Sequence, residues 1–436
     1  MTFVAEPQRK TPVLAEHEVV VLGGGPTGIA AAAAAARAGR STILVERYGF
    51  LGGAGTAAGL ANFCGLHGKV DGEDRQVVHG IADDVLARLK SMDALSEPHS
   101  LFGGRIQAQA YDVSAYKLVA DQLLAQVNVR LLFHALAVGY DDGHLLVETK
   151  SGRRAIRGRV FIDCSGDGDL AAWMGAPFEI GDGRGNMLYP STMYRIGGVD
   201  AARAGNAWET IAARMEEAER AGRRFPRKKP IVRPQPNPVE WRANLTQIRK
   251  PDGAAVSGID ALELAWGEVE GRRQVWDTFQ FIRESTPGFE RAYIAEIAPQ
   301  IGIRETRRIG GLYQLTEDDV LDCRDFPDRI GVNGWPVEEH KAGDVEFRFQ
   351  RAPRGYNQLP YRMLVPLGVD NLLVAGRCAS MTHGGQSAAR VSGACFVMGQ
   401  AAGSAAHLAL QSGVALPDVN IGELQTHLMQ NGAWLG

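Results

Sequence analysis

The segment from Glu18 to Glu46 constrains this chain more than any other. Residues 18–22 (EVVVL) form a short β-branched run, the pattern of a parallel strand buried on both faces. Gly23-Gly24-Gly25-Pro26-Thr27-Gly28 follows and satisfies GxGxxG. Residues 29–37 are almost all alanine, the strongest helix former, and Gly39 supplies the stop. Residues 41–46 (STILVE) read as a second strand ending on an acid. In such a unit Gly23 permits the tight turn, Gly25 lets the backbone approach a pyrophosphate, and Gly28 lets helix and strand pack closely. The helix start, with Pro26 and Thr27 in its first turn, offers free N–H groups and a positive dipole end to phosphate. Glu46 is placed to accept hydrogen bonds from a ribose. The segment therefore predicts a βαβ unit that holds a dinucleotide.

The choice of dinucleotide rests on what comes next. Arg47 is followed by a second glycine cluster that contains Gly52, Gly53, Ala54 and Thr56. NAD has no need of it, although a plain flexible loop would look the same. Residues 128–138 (NVRLLFHALAV) read as a strand that turns at Ala137. Residues 145–149 and 156–163 read as strands around the Ser151-Gly152 turn, leading into Asp163-Cys164-Ser165-Gly166-Asp167-Gly168-Asp169. Near the C-terminus, residues 371–376 (NLLVAG) form another buried strand that runs through Gly376 and Arg377 to His383. A small-residue helix is expected from about Arg390, with Val391 and Gly393 in its first turn. Gly376, Arg377, Arg390, Val391 and Gly393 are expected to contact the cofactor, since glycine there lets backbone approach a ring system and the helix N-terminus favours negative charge.

Together these elements resemble the FAD-dependent oxidoreductase family of glutathione-reductase-like fold. The resemblance covers about residues 17–200 and 297–412 and includes IGIRETRRI at 301–309 and LPYR at 359–362. It implies FAD, with the second glycine cluster along the diphosphate and ribityl chain. It also implies a backbone contact to adenine at Ala137, and a turn at Ser165, Gly166 and Asp169 that closes the adenosine end. The fold class that follows is α/β. A Rossmann-like FAD-binding domain (17–185 and 346–412) carries an inserted α+β substrate or cap region (186–345), between terminal tails at 1–16 and 413–436.

Composition limits the partners. The net charge is -3, with Lys and Arg spread along the chain, so no nucleic acid is expected. Five cysteines occur without a CxxC pair, which predicts no metal site, no cluster and no disulfide framework. This usage and the absence of a signal-like start predict a cytoplasmic protein. The most apolar stretches are broken by glycine or rich in alanine, so no membrane span is expected. A homo-oligomer is compatible with the sequence. No second intact GxGxxG is present, since Gly181–Gly185 (GDGRG) lacks a following helix. Electrons are therefore expected to leave to oxygen, a quinone or a carrier protein.

The catalytic candidates flank the expected flavin position. His383 is the first choice as base, Arg304 as a carboxylate or flavin contact, and Tyr361 as a cleft-wall residue with Arg354, Tyr356, Asn357 and Arg362. Among Arg304, Arg307 and Arg308, at least one is expected to pair with Glu305 or Asp318. Cys64 reads as a buried thiol, with a covalent flavin link as the alternative. The basic run 223–233 reads as a solvated loop, with an anion-steering lid as the alternative. Trp241, Trp266, Trp276, Phe279 and Phe281 read as core or cleft wall. The leading expectation is a dehydrogenase or oxidase that moves hydride from a small organic substrate to flavin N5. A flavin monooxygenase and a flavin-holding electron-transfer subunit are the alternatives.

Overall fold

The computed structural model describes residues 4, 5, 7, 9–352 and 354–436. Its core is a seven-stranded sheet. Six strands run along its main path: β1 (Val13–Leu22), β2 (Thr42–Val45), β3 (Arg130–Leu132), β4 (Leu136–Asp141), β5 (His144–Thr149) and β6 (Gly152–Asp163). Their order is β3-β2-β1-β6-β5-β4. β3, β2, β1 and β6 are parallel, while β5 and β4 continue antiparallel. The seventh strand, Leu372–Val374, pairs parallel with the end of β6 from Phe161 to Asp163.

Val19 and Val21 pack into one hydrophobic cluster and Val20 and Leu22 into another, so β1 is buried on both faces as its run predicts. Two helices lock onto the first face: α1 (Pro26–Arg37) and the long C-terminal helix Ser392–Ser412. Their contact is backbone-close. A Cβ at Gly399 would lie 2.1 Å from the Thr27 carbonyl oxygen, and one at Gly403 would lie 2.2 Å from that of Ala31. The small residues of both helices are thus needed for this approach.

Three expected boundaries move. β1 starts at Val13, because residues 13–17 pair with Ala155–Gly158 of β6, so the expected tail over 1–16 is shorter; Met1, Thr2, Phe3, Glu6 and Gln8 lie outside the described residues. The strand expected over 128–138 is split into β3 and β4, because Asn128 and His134 take left-handed backbone angles. The last long helix begins at Ser392, since Val391 is extended and Arg390 closes the preceding short helix His383–Ala389.

A second sheet is inserted between β6 and Leu372–Val374. It contains β7 (Tyr194–Gly197), β8 (Ile231–Pro234), β9 (Trp241–Asn244) and β10 (Tyr293–Ile297) in the antiparallel order β8-β9-β7-β10. The 25-residue helix α2 (Ala261–Ser285) packs on it, capped by Asp260, whose side chain accepts from the Leu262 and Glu263 N–H groups. Tyr194, Ile196, Val232, Trp241, Ala243, Val275, Phe279 and Phe281 share this second core. Trp276 is the exception to its sequence reading: it is 55% exposed on the outer face of α2, and Trp266 is also exposed. No helix among the described residues is long and apolar enough to cross a membrane.

Candidate functional site

A cleft of about 400 Å³ runs from the β1–α1 turn to the underside of the second sheet. Gly23, Gly25, Pro26, Thr27, Glu46, Arg47, Gly52, Gly53, Ala54, Ala137, Ser165, Gly166, Asp169 and Arg377 line its first half. Gly23 has φ +99°, and a Cβ there would lie 2.4 Å from the Cys164 carbonyl oxygen, so the turn excludes any side chain. Glu46 is buried at the tip of β2. Its Oε2 accepts from the Gly24 N–H at 2.7 Å and its Oε1 from the Tyr48 N–H at 3.0 Å. These bonds hold the carboxylate at the cleft edge and leave lone pairs for a ligand.

The turn after β6 is tied together internally. Ser165 Oγ donates to Asp163 and accepts from the Asp167 and Gly168 N–H groups. Arg377 donates to the Gly166 carbonyl at 2.8 Å and to Asp167 at 2.6 Å, so it joins this turn to the Leu372–Val374 strand. Four expected cofactor positions do not line the cleft and act beneath it. A Cβ at Gly28 would strike the Gly23 carbonyl at 1.8 Å, one at Gly376 would strike Thr27, and one at Gly393 would strike the Gly65 carbonyl. Thr56 Oγ1 donates to the Leu51 carbonyl and holds the second glycine loop.

The other half of the cleft is a chamber that the sequence reading did not anticipate. Strand alternation builds its roof. Arg233 on β8 and Arg242 and Asn244 on β9 face the cleft, while Val232, Trp241 and Ala243 face the second core. The same alternation sends His99 and Leu101, and likewise Glu338 and His340, into the chamber. Arg390, Val391 and Ser392 reach it from the start of the C-terminal helix. Burial, then the charges of Arg242 and Arg233, hold the His99 imidazole down to about 4. Burial and Arg304 hold His340 well below its ordinary range, so it donates to Glu338 as a neutral ring at 3.0 Å. Burial alone would raise the Glu338 carboxyl, but the hydrogen bond from His340, the Arg390 charge and the Trp335 N–H hold it below its ordinary range. Glu338 is therefore ionised.

The structure moves two of the three catalytic candidates out of the cleft. His383 does not line it. Its Nδ1 bonds the Glu305 carboxylate at 3.1 Å, and Glu305 is itself buried against Arg308. Tyr361 is 1% exposed and donates to the Leu416 carbonyl at 2.8 Å, away from the cleft. His383 opens the short helix His383–Ala389 and Tyr361 opens a 3-10 turn, and packing turns both side chains away from the cleft. Arg304 does line the cleft, with Nη1 donating to the Tyr189 carbonyl and Ser191 Oγ. Asp318 pairs with Arg351 rather than with the arginine trio, and Arg307 pairs with Asp169. Arg354 and Arg362 bind Asp325 and Asp328 as loop ties. The basic run is only partly solvated: Arg227 is fully buried on the Lys228 and Lys229 carbonyls and Asn244, and Arg233 faces the chamber. Cys64 lines the chamber, but burial pushes its thiol up to about 12, so it is a neutral thiol. Among the described residues no group of His, Cys, Asp and Glu could hold a metal.

A family model described as "FAD dependent oxidoreductase" matches residues 18–428. No curated protein matches the sequence significantly. Among solved structures, p-nitrophenol 4-monooxygenase from Pseudomonas putida is similar at 12% identity and a TM-score of 0.50, over 96% of this chain and 88% of that one. A geranylgeranyl bacteriochlorophyll reductase-like protein from Thermoplasma acidophilum is similar at 13% identity and a TM-score of 0.46, over 95% and 83%. The first likeness supports the fold, and the cleft fits the cofactor. A Cβ built on Gly25 would meet only Gly53 within 4 Å, so bare backbone edges the cleft where a diphosphate needs it. The Thr27 and Gly28 N–H groups sit in the first turn of α1, where no intrahelical acceptor exists.

Proposed function

Because the chain belongs to the FAD-dependent oxidoreductase family and takes FAD as cofactor, we propose that it is a dehydrogenase or oxidase of a small organic substrate held beneath β8 and β9. One observation carries this reading: a single cleft joins the dinucleotide cradle to a chamber roofed by buried polar side chains of the inserted sheet. When bound, FAD supplies the two-electron acceptor. Residues of this chain do the rest. Glu46 and Arg47 hold the adenosine end, and Gly25, Thr27 and Gly53 face the diphosphate. Ser165, Gly166, Asp169 and Ala137 close that end, while Gly28, Thr56, Gly376 and Gly393 set the close packing beneath it. The C-terminal helix starts at the chamber without a side-chain cap, so its free N–H groups favour negative charge there.

His99 supplies a neutral polar group. It is uncharged at pH 7 and lines the chamber, where its ring can hydrogen-bond a substrate hydroxyl or amine. Trp335 and Phe347 line the same chamber and exclude water. Mixing the holoprotein anaerobically with a metabolite panel tests the reading. Loss of the flavin's visible colour with a substrate alone supports it, and recovery with oxygen, a quinone or a carrier protein identifies the acceptor. Colour that is lost only with NAD(P)H, with labelled oxygen entering product, would establish the monooxygenase reading instead.

A further inference from the structure

The charges around the chamber do not balance. Among the described residues, four guanidinium groups line the chamber half of the cleft, from Arg233, Arg242, Arg304 and Arg390, against one carboxylate, Glu338; the other acids of the lining, Glu46, Asp167, Asp169 and Glu268, lie by Arg47 and Tyr48 at the dinucleotide end. Glu338 is already engaged by the indole N–H of Trp335 at 2.9 Å and by His340 at 3.0 Å. The arginines lean on neutral acceptors. Arg242 is 4% exposed; it donates to the Leu60 carbonyl at 2.9 Å and to the Asn62 amide oxygen, turned to face it, at 3.1 Å. Among the described residues, Arg304 donates to a carbonyl and a hydroxyl. Arg390 comes no closer than 4.0 Å to the Glu338 carboxylate. The Nε groups of Arg242 and Arg390 have no hydrogen-bond partner among the described residues. Burying several like charges costs several kcal/mol each unless an anion is present to pair with them.

Part of the chamber wall is apolar. Trp335, Phe347, Phe102 and Leu101 line the chamber, with the Phe102 and Phe347 rings 4.2 Å apart. A bare inorganic anion would leave that wall unused. Resting on the functional reading above, we propose that the substrate is an organic acid with an apolar body, its carboxylate paired with Arg242 and Arg390 and its body against Trp335 and Phe347. Planar guanidinium forks suit a carboxylate bidentately, and aromatic walls suit an apolar or aromatic remainder. His99 stays uncharged beside Arg242, so pairing with the bound acid is left to the arginines.

The test uses holoprotein and two isosteric probes, benzoate and benzamide, read by perturbation of the bound flavin's visible spectrum and by thermal shift. Benzoate is expected to bind at least about tenfold more tightly than benzamide. Arg242→Gln is expected to abolish that preference at unchanged FAD content. If that variant does not fold, Arg390→Gln is expected to reduce the preference, and Arg242→Lys to keep part of it. Equal binding of benzoate and benzamide, or an unchanged preference in a folded Gln variant, would overturn the proposal, because the cations then serve no carboxylate. The outcome separates from the functional reading. Benzoate selectivity in a protein whose flavin no substrate bleaches supports this inference and contradicts the oxidase reading. Bleaching by neutral substrates without benzoate selectivity does the reverse.

Discussion

At the residue scale, the first turn is fixed by glycines whose backbone leaves no room for a side chain. The glycines of the first turn were legible because each is forced: Gly23 by its left-handed angle and Gly28 by the carbonyl beneath it. His383 was not, because nothing in the sequence shows that Glu305 turns its ring aside. His383→Gln should therefore leave the rate of anaerobic flavin reduction within about twofold while lowering thermal stability by roughly 1 kcal/mol. A hundredfold slower reduction with normal stability would return His383 to catalysis. Arg308→Met should be far more damaging, at about 3–5 kcal/mol by denaturant unfolding, because it strands the buried Glu305 carboxylate. Cys64 holds its proton through the neutral range. Acid denaturation should accordingly release all the flavin from the protein, and retention of colour in the precipitate would contradict a non-covalent cofactor.

At the element scale, periodicity carried more than residue identity. The strands at Glu18, Ser41 and Ile156 were visible from β-branched runs, and the helix after Gly28 from its alanines. The chamber roof was legible in part, since WRAN alternates apolar and polar residues whereas IVRP opens on two apolar ones. That alternation ordinarily marks a solvent face, and here the polar face is turned inward on a cleft, which only tertiary packing decides. The contact between α1 and the C-terminal helix is where small residues matter most. Gly403→Ala should cost about 1–3 kcal/mol, because its Cβ must displace the Ala31 backbone. The same change should lower FAD occupancy, since that backbone leads into the dinucleotide turn. An unaltered melting temperature and full FAD content would show that the two helices yield more readily than this packing implies.

At the scale of the whole molecule, family and fold were legible because three separated motifs converge on one sheet. The boundary of the inserted region and the chemistry inside it were not, since its residues carry no cofactor motif. Two chamber histidines also tie global stability to pH. Burial holds His99 and His340 below their ordinary value near 6.5, so the unfolded chain binds more protons than the folded one between about pH 6.5 and 4. Their contribution is complete above about pH 6.5 and is lost as pH falls towards 4. His340→Gln should therefore lose less stability than wild type between pH 7.5 and 5, measured by urea unfolding at each pH, and parallel curves would contradict the assignment. The most direct test of the central claim is an anaerobic titration of FAD-replete protein with an organic acid chosen from the panel. One equivalent of the acid is expected to remove the colour of one FAD with no NAD(P)H present. Colour that persists through excess acid and disappears only on adding NAD(P)H would contradict it.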